Sequence, residues 1–298
     1  MTGQIQLLLG DNPFNGVDHL SQERLRARMS LGIDDIAGII STAVDNGATG
    51  FTFSTTPKML EVLRAMKNHG ISKKFDLFPV IPDVGAYFQL VAEKGMLGAM
   101  LGKLGGLSAP SKVQSVFGGG LALLSQSPTR ILRAYAGTET SLVQTALPIG
   151  ARIRSLFLHE IGTDLLVSLE MTDLFEAYVQ AVRDNLKVVP GFVTRNFPRF
   201  IDFIQKCDFD LRDYFVLTPF NSMGFQMNPS KDDCERTLTN ANGASVIAMS
   251  ILAGGHLNLN EALEYIHRLP TRISVAVGVS TARHAQETFY TLKERLQV

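Results

Sequence analysis

The hydrophobic pattern of this chain is a series of short apolar runs that each end abruptly in polar residues. Five such runs lie at 6–12, 50–55, 155–160, 245–250 and 273–280. A strand that is apolar along its whole length is buried on both faces, as the strands of parallel sheets are. The pattern therefore predicts a parallel sheet in which the polar residues gather at the carboxyl ends of the strands.

Strand patterns alternate with helical patterns along most of the chain. Eight strands are predicted, at 4–10, 50–53, 75–81, 155–159, 188–192, 214–218, 245–250 and 273–277. Helical spacing of apolar residues predicts helices at 34–46, 58–69, 172–185, 198–206, 260–268 and 282–295. This alternation predicts a closed (β/α)8 TIM barrel that forms one domain over residues 1–298. An open doubly wound sheet would need fewer units or a switch point, and the pattern has neither.

The stretch 85–150 interrupts the alternation after the third predicted strand. It is rich in Gly, Ala, Leu and Ser, and it is much longer than an ordinary connection between a strand and a helix. We expect helical pieces at 87–94 and 128–136. Three roles remain open for this insertion: a helical decoration of the barrel, a lid over its mouth, or a homo-oligomer contact through apolar residues such as 96–101.

The composition of the chain limits the kinds of partner and the location that we expect for the protein. The chain has 298 residues with 28 basic and 28 acidic side chains, and the absence of a basic block argues against nucleic acid or an anionic membrane as a partner. Cys207 and Cys234 are its two cysteines, so we expect neither a disulfide framework nor a thiolate metal cluster, and a cytoplasmic location. Asp11 cuts the first apolar run, and no apolar stretch reaches about 20 residues, so we expect neither a signal peptide nor a membrane span.

In a parallel barrel, the polar residues that follow the strands surround one mouth, which is where such enzymes place their active sites. His159 ends the fourth predicted strand and is the best candidate for proton transfer near neutral pH, although it could simply be a capping residue. Asp11 and Asp83 follow the first and third strands and are the candidate carboxylate partners, although Asp11 also suits a turn. The candidate substrate-binding residues are Asn12, Ser54, Glu160 and Asn221.

A metal site is the weaker interpretation of the same mouth. The ligands would come from Asp11, Asp83, His159, Glu160 and His256. The sequence has no HxH, HxxxH or HExxH spacing among them, and these spacings are typical of metal sites. We therefore expect no metal ion.

The loops after the seventh and eighth predicted strands suit a phosphate group. Barrels often bind phosphate there, together with the N-terminus of a helix. Gly254 and Gly255 let the backbone approach a ligand, and Ser280 and Thr281 carry hydroxyl donors. The alternative for Ser280 and Thr281 is ordinary helix capping. We favour a phosphate-bearing ligand or cofactor.

Four segments resemble the aldo-keto reductase family. Residues 50–55 (GFTFST) are similar to the family's second strand, which usually ends Phe-Asp-Thr, and 156–159 (LFLH) to the strand that carries its active-site histidine. Residues 191–197 (GFVTRNF) resemble the Gly-Val-Ser-Asn-Phe segment that contacts nicotinamide, and 277–287 resemble the final strand and helix that hold the cofactor phosphate. The resemblance implies a TIM barrel that reduces carbonyls with NADPH, with Asn196 and Arg283 among the cofactor contacts.

The chain departs from the family at most of the catalytic positions. Of the family's Asp, Tyr, Lys and His, only the histidine has a match, at His159. Ser54 stands in place of the Asp, Pro57 and Lys58 replace the Tyr-bearing stretch, and 80–83 lacks the Lys. We therefore expect a small-molecule enzyme, an NADPH-dependent oxidoreductase with altered catalytic residues. The alternatives are an isomerase or lyase that acts on a phosphorylated substrate, a non-catalytic ligand-binding barrel, and an assembly protein.

Overall fold

Eight parallel strands form a closed ring, with a short ninth strand paired beside it, in the computed structural model, which describes residues 5–15, 31–69, 74–81, 128–241 and 243–298. The ring runs β2-β1-β9-β8-β7-β6-β5-β3 and closes where β3 pairs with β2, while the short β4 also pairs with β3. The strands are β1 (Leu7–Gly10), β2 (Gly50–Ser54), β3 (Phe75–Ile81), β4 (Ala151–Ile153), β5 (Ser155–Leu158), β6 (Val189–Val193), β7 (Phe215–Pro219), β8 (Ser245–Met249) and β9 (Ser274–Gly278). The predicted (β/α)8 TIM barrel is confirmed.

Amphipathic helices cover the outside of this ring and bury one face against it. The first of them, for example, buries Ile36, Ile40 and Val44. The helices are α1 (Ile33–Asp45), α2 (Pro57–His69), α3 (Pro128–Thr145), α4 (Glu160–Ser168), α5 (Thr172–Gln180), α6 (Phe197–Lys206), α7 (Lys231–Asn240), α8 (Leu259–Arg268) and α9 (Ala282–Leu296). A π-helical turn at Ala181–Asn185 continues α5.

Strands β4 and β5 both pair with β3 and together form the fourth strand of the barrel, which contains a β-bulge. Asp76 on β3 pairs with Arg152 on β4, whereas Val80 pairs with Phe157 on β5, so the offset between partners grows by one residue. One extra residue on one strand is the signature of a β-bulge, which ends regular pairing and bends the strand. Arg154 lies at this break, and the sequence pattern predicts only the second half of the strand.

The alternation of side chains along the strands separates the barrel interior from the helix-facing layer. The interior cluster contains Leu8, Phe78, Val80, Phe157, Val193, Leu217, Ile247 and Ala276. Ser54 pairs with Val80 in a parallel ladder, so it points to the same side. His159 directly follows β5 and Arg195 lies two residues beyond β6, so both lie at the same mouth as Ser54. Three polar residues thus share the upper end of the barrel.

Two helices, α4 and α7, were not predicted from the sequence. Helix α4 follows β5 almost at once and contains Gly162, which lowers helix propensity. Helix α7 buries only Cys234 and Leu238, so its apolar periodicity is weak.

The end of the predicted insertion belongs to the barrel's helical layer. The helix predicted at 128–136 runs on to Thr145, and α3 buries Ala136, Thr140 and Val143. It packs against α5 and contacts β3, as the helix that follows β3 in a barrel should. The helical piece predicted at 87–94 lies outside the described residues.

Replacing Gly191 with alanine should destabilise the barrel interior. A Cβ atom at Gly191 would lie 2.7 Å from both Phe157 Cδ1 and Ser155 Oγ, and overpacking of this kind costs about 1–3 kcal/mol. The matched control is Gly38→Ala on α1, where nothing lies within 4 Å of the new methyl group, so we expect a gain of about 0.4–1 kcal/mol. Urea unfolding of the two variants measures both effects. Equal stability of the two would contradict the interior position of Gly191.

Candidate functional site

The carboxylate of Asp11 joins the ends of β1 and β2 at the mouth. Its Oδ2 accepts hydrogen bonds from the backbone N–H of Ser54 at 2.8 Å and from Asn15 Nδ2 at 2.5 Å, and the residue is 7% exposed. Ser54 occupies the position where the resemblance expects the family's Asp. A carboxylate therefore does lie at the end of β2, but the loop after β1 supplies it.

The segment that carries Asp11 is also a turn. The backbone N–H groups of Phe14 and Asn15 donate to the Asp11 carbonyl at 2.8 and 3.2 Å. Asn12 is exposed at its tip. Gly278, at the end of β9, leaves room for this turn because it has no side chain. A Cβ there would lie 2.7 Å from Pro13 Cδ. Asp11 thus fits both the turn and the carboxylate predicted at the mouth.

His159 lies between β5 and α4 and is half-buried. Its backbone N–H donates to the Ile81 carbonyl at 2.7 Å, and its Nδ1 accepts from the Ile161 N–H at 3.2 Å, which caps α4. Because Nδ1 accepts, the neutral ring carries its proton on Nε2. In this tautomer the Nε2–H group can donate a hydrogen bond to a substrate oxygen while Nδ1 keeps the cap, whereas protonation of the ring at Nδ1 breaks the cap.

A polar cluster that the sequence pattern missed lies beside His159. Glu160 Oε1 forms an ion pair with Arg195 Nε at 2.8 Å. One helical turn further on, Asp164 Oδ1 accepts from Thr194 Oγ1 at 2.5 Å, and Asp164 Oδ2 accepts from the Arg195 N–H at 3.3 Å. These contacts hold the loop after β6 against α4. The four-residue spacing of Glu160 and Asp164 was the available signal in the sequence. It places both carboxylates on one face only if the segment is a helix, and α4 was not predicted.

Burial raises the pKa of the Asp164 carboxyl above its ordinary value. The hydrogen bonds from Thr194 and from the Arg195 N–H oppose the shift, while the charge of Glu160 adds to it. A carboxyl with a raised folded-state pKa binds its proton more tightly in the folded protein. Its contribution to stability is therefore full below the unfolded value near 3.8 and is lost as the pH rises through the folded pKa.

Replacing Thr194 with valine should raise the pKa of Asp164 further, because the hydroxyl donates to the charged carboxylate. The titration of the Asp164 carboxyl carbon, followed by NMR, measures this shift. Thr218→Val is the matched control and should leave the titration unchanged, since no residue in the described ranges forms a hydrogen bond with the buried Thr218 hydroxyl. A lower Asp164 pKa in Thr194→Val would contradict this account.

Asn196 and Asn221 hold loops at the mouth. Asn196 Oδ1 accepts from the Arg199 N–H at 3.2 Å and caps α6. Asn221 is fully buried, and its amide group bonds the backbone of Phe225 in both directions, at 2.9 and 2.8 Å. Asn196 Oδ1 and both polar atoms of the Asn221 side chain therefore bond the backbone in this structure.

The loops after β8 and β9 lie side by side, since the two strands pair. Gly254 and Gly255 adopt φ angles of 70° and 97°, which are costly for other residues. The Gly255 N–H donates to the Leu252 carbonyl at 2.8 Å, so this amide is engaged within the turn. The two glycines therefore allow the turn, but the Gly255 N–H bonds within the turn and does not point toward a ligand.

The start of α9 follows the second of these loops. Thr281 Oγ1 accepts from the His284 N–H at 3.1 Å and caps the helix, while Ser280 is half-buried. Arg283 Nε pairs with Glu287 Oε1 at 2.8 Å, with 84% of the arginine side chain exposed. A helix N-terminus favours a negatively charged group, and in this structure the Thr281 hydroxyl serves the cap while Arg283 pairs with Glu287.

A buried carboxylate on α3 also contacts the end of β2. Glu139 is 2% exposed, and its Oε2 accepts from Thr55 Oγ1 at 2.6 Å, with Thr55 itself 4% exposed. The two residues are 84 positions apart, and no local pattern links them. The contact ties α3 to the rim of the mouth. Asp83, the other predicted carboxylate, lies outside the described residues.

Two further features concern only the part of the chain that the structure describes. It contains no group of three or more His, Cys, Asp or Glu side chains placed to hold a metal ion. None of the helices in these ranges is both long and apolar enough to cross a lipid bilayer.

Similarity to known proteins lies in the fold. The sequence matches no protein family and no curated protein. Among solved structures, a protein from Pseudomonas aeruginosa assigned to the aldo-keto reductases is similar with a TM-score of 0.59 and 13% identity, over 97% of this chain and 90% of that one. A protein assigned as a 2,5-diketo-D-gluconic acid reductase B shows a TM-score of 0.56 and 12% identity, over 98% of this chain and 85% of that one.

A barrel of another activity is also similar. Orotidine 5'-monophosphate decarboxylase from Methanocaldococcus jannaschii aligns with a TM-score of 0.50 and 11% identity, over 99% of this chain and 100% of that one. Identities this low describe the architecture rather than the chemistry. The chain is therefore a TIM barrel with a distant structural likeness to the aldo-keto reductases.

Proposed function

We propose that this protein is a small-molecule enzyme whose active site lies at the mouth formed by the carboxyl ends of the strands. One observation carries the proposal: His159 directly follows β5 at the mouth, and its Nδ1 accepts the Ile161 N–H, so the neutral ring carries its proton on Nε2. The Nε2–H group is then the proposed donor to a substrate oxygen, and the imidazolium form of the ring gives up its proton from the same atom. Asp11, which lies at the end of β2, is the proposed carboxylate of the same site.

Within this class we propose an NADPH-dependent oxidoreductase with an altered catalytic set. When bound, the cofactor supplies a hydride to a carbonyl carbon. The residues proposed to hold it are Gly254, Gly255, Ser280, Thr281, Arg283 and Asn196. Because the family's Tyr and Lys have no counterpart in this chain, we propose that His159 supplies the proton that the carbonyl oxygen needs. The imidazolium gives up its Nε2 proton and is left neutral with a proton on Nδ1. Asn12, Ser54, Glu160 and Asn221 surround the substrate.

An isomerase or lyase that acts on a phosphorylated substrate is the second candidate. The full-length structural likeness to a decarboxylase of a nucleoside monophosphate favours it. The loops after β8 and β9 would then hold the substrate phosphate instead of a cofactor. His159 and Asp11 would exchange protons at the substrate, with no hydride donor required.

Replacing Gly255 with aspartate should abolish NADPH binding. The φ angle of 97° strains any side chain at this position, and the added charge repels a phosphate. Fluorescence titration with NADPH measures the affinity. The control is Gly38→Asp, which adds the same charge on an exposed part of α1 and should bind as the wild type does. Unchanged affinity in Gly255→Asp would remove the cofactor from these loops, and phosphorylated metabolites would be assayed next.

A further inference from the structure

A large cavity opens at the opposite end of the barrel, where the strands begin. Its volume is about 1380 Å³, and residues of β3, β4, β6, β7, β8 and β9 line it. In TIM barrels the reaction takes place at the other face, and residues at this face usually contribute to stability. A built cavity here therefore needs an explanation apart from the proposed reaction.

The lining of this cavity is strongly basic. Its acidic residues are Asp76, Asp210 and Asp213. Its basic residues are Lys74, Arg152, Arg154, Arg183, Arg212 and Arg272. The chain as a whole carries no net charge, so this excess of three positive charges is a local feature. A cavity lined mainly by one sign of charge concentrates ligands of the opposite sign.

Three of these cations are neutralised by ion pairs. Arg152 Nε lies 2.6 Å from Asp76 Oδ1, and the corresponding distances are 2.9 Å for Arg183–Asp213 and 2.6 Å for Arg212–Asp210. The hydrogen bonds from Arg212 lower the pKa of Asp210 to about 2, so that carboxylate stays charged at neutral pH. All three acidic side chains of the lining are therefore engaged in ion pairs.

The remaining three cations are Lys74, Arg154 and Arg272. Within the described ranges, none of them forms an ion pair with a carboxylate. Lys74 precedes β3, Arg154 lies at the bulge of the fourth barrel strand, and Arg272 precedes β9. Lys74 and Arg154 belong to neighbouring barrel strands, whereas β2 and β1 separate β3 from β9 in the ring. An anion with two or more charged groups therefore suits the three cations better than an anion with one.

The floor and walls of the cavity are suited to a small ligand. Phe215 forms part of the lining and packs edge-on against Phe78, with ring centroids 5.7 Å apart, which closes the barrel interior. Ser245 contributes a half-buried hydroxyl group. Arg272 also donates to the Leu296 carbonyl at 2.7 Å, and this bond holds its guanidinium at the rim.

We propose that this cavity binds a small multivalent anion that carries at least two phosphate or carboxylate groups. Lys74, Arg154 and Arg272 bind its charged groups, and the three ion pairs form the wall around them. The site is separate from the mouth and does not depend on the proposed reaction.

Calorimetric titration with tripolyphosphate tests the proposal. Wild type should bind, and Arg154→Gln and Arg272→Gln should each weaken binding by about tenfold, since a hydrogen bond to a charged group is worth roughly 1.5 kcal/mol or more. Glutamine at 272 keeps a donor for the Leu296 carbonyl, and thermal unfolding confirms that both variants fold. Inorganic phosphate should bind at least about tenfold more weakly than tripolyphosphate.

The matched control is Lys206→Gln, which removes an exposed cation on α6 that pairs with Glu170 at 3.3 Å and should leave binding unchanged. Gly255→Asp, which disrupts the proposed mouth site, should also bind tripolyphosphate normally. The proposal would be overturned by the absence of tripolyphosphate binding, by equal affinity for phosphate, or by wild-type affinity in both glutamine variants. Loss of binding in Gly255→Asp alone would move the anion to the mouth.

Discussion

Replacing His159 with alanine is expected to lower kcat by about 100- to 10,000-fold, the usual contribution of a general acid or base. The reason is that His159 is the proposed proton donor of the site, with Nε2 as the donor atom because Nδ1 accepts the Ile161 N–H. The rate of NADPH oxidation with a panel of small carbonyl compounds measures the effect. Stability should fall by only about 1 kcal/mol, from the lost cap on α4.

His159→Asn is the control that separates the two roles of this residue. Asparagine is among the best helix N-cap residues, so its side-chain oxygen can accept the Ile161 N–H in place of Nδ1. Its amide cannot transfer a proton near neutral pH. We therefore expect wild-type stability with alanine-like activity. Full turnover in His159→Asn would remove the histidine from the chemistry and leave it as a cap.

Replacing Phe175 with alanine is expected to cost about 3–5 kcal/mol of folding free energy. Phe175 on α5 is fully buried and stacks on Phe192 of β6 with ring centroids 4.5 Å apart. It also contacts the rings of Phe203 and Phe209, each at 5.2 Å. The mutation therefore leaves a cavity where α5, α6 and β6 meet. Urea unfolding measures the loss.

The exposed aromatic residue Tyr290 supplies the control for this prediction. Its side chain on α9 is 59% exposed, and Tyr290→Ala should change stability by no more than about 0.5 kcal/mol. A loss under about 1 kcal/mol in Phe175→Ala would mean that the aromatic cluster relaxes around the missing ring.

The elements that the sequence predicts best are those whose apolar pattern is complete. Strand β3 has the predicted bounds, 75–81, because all seven of its residues are buried. Helix α9 begins at the predicted residue, with Thr281 as its cap. Helix α4 escaped prediction because it begins within two residues of the end of β5 and contains a glycine. The apolar pattern of a segment therefore predicts its secondary structure well when the burial of that segment can be seen in its own sequence.

The site is less predictable because its contacts join distant segments. The hydrogen bond from the Ser54 N–H to Asp11 spans 43 positions, and the one from Thr55 to Glu139 spans 84. Only the closed barrel brings these residues together. The sequence indicates that polar residues gather at the mouth. It does not reveal that the Asp11 carboxylate contacts the end of β2 or that Asp164 accepts a hydrogen bond from Thr194.

A thermal-shift titration with NADPH tests the central claim most directly. At 100 times its dissociation constant, a ligand stabilises a protein by about 2.7 kcal/mol. We expect a shift of this size with NADPH, well beyond that with inorganic phosphate, retained in Arg154→Gln and lost in Gly255→Asp. No shift with NADPH, or a shift lost in Arg154→Gln and kept in Gly255→Asp, would contradict a cofactor site at the mouth.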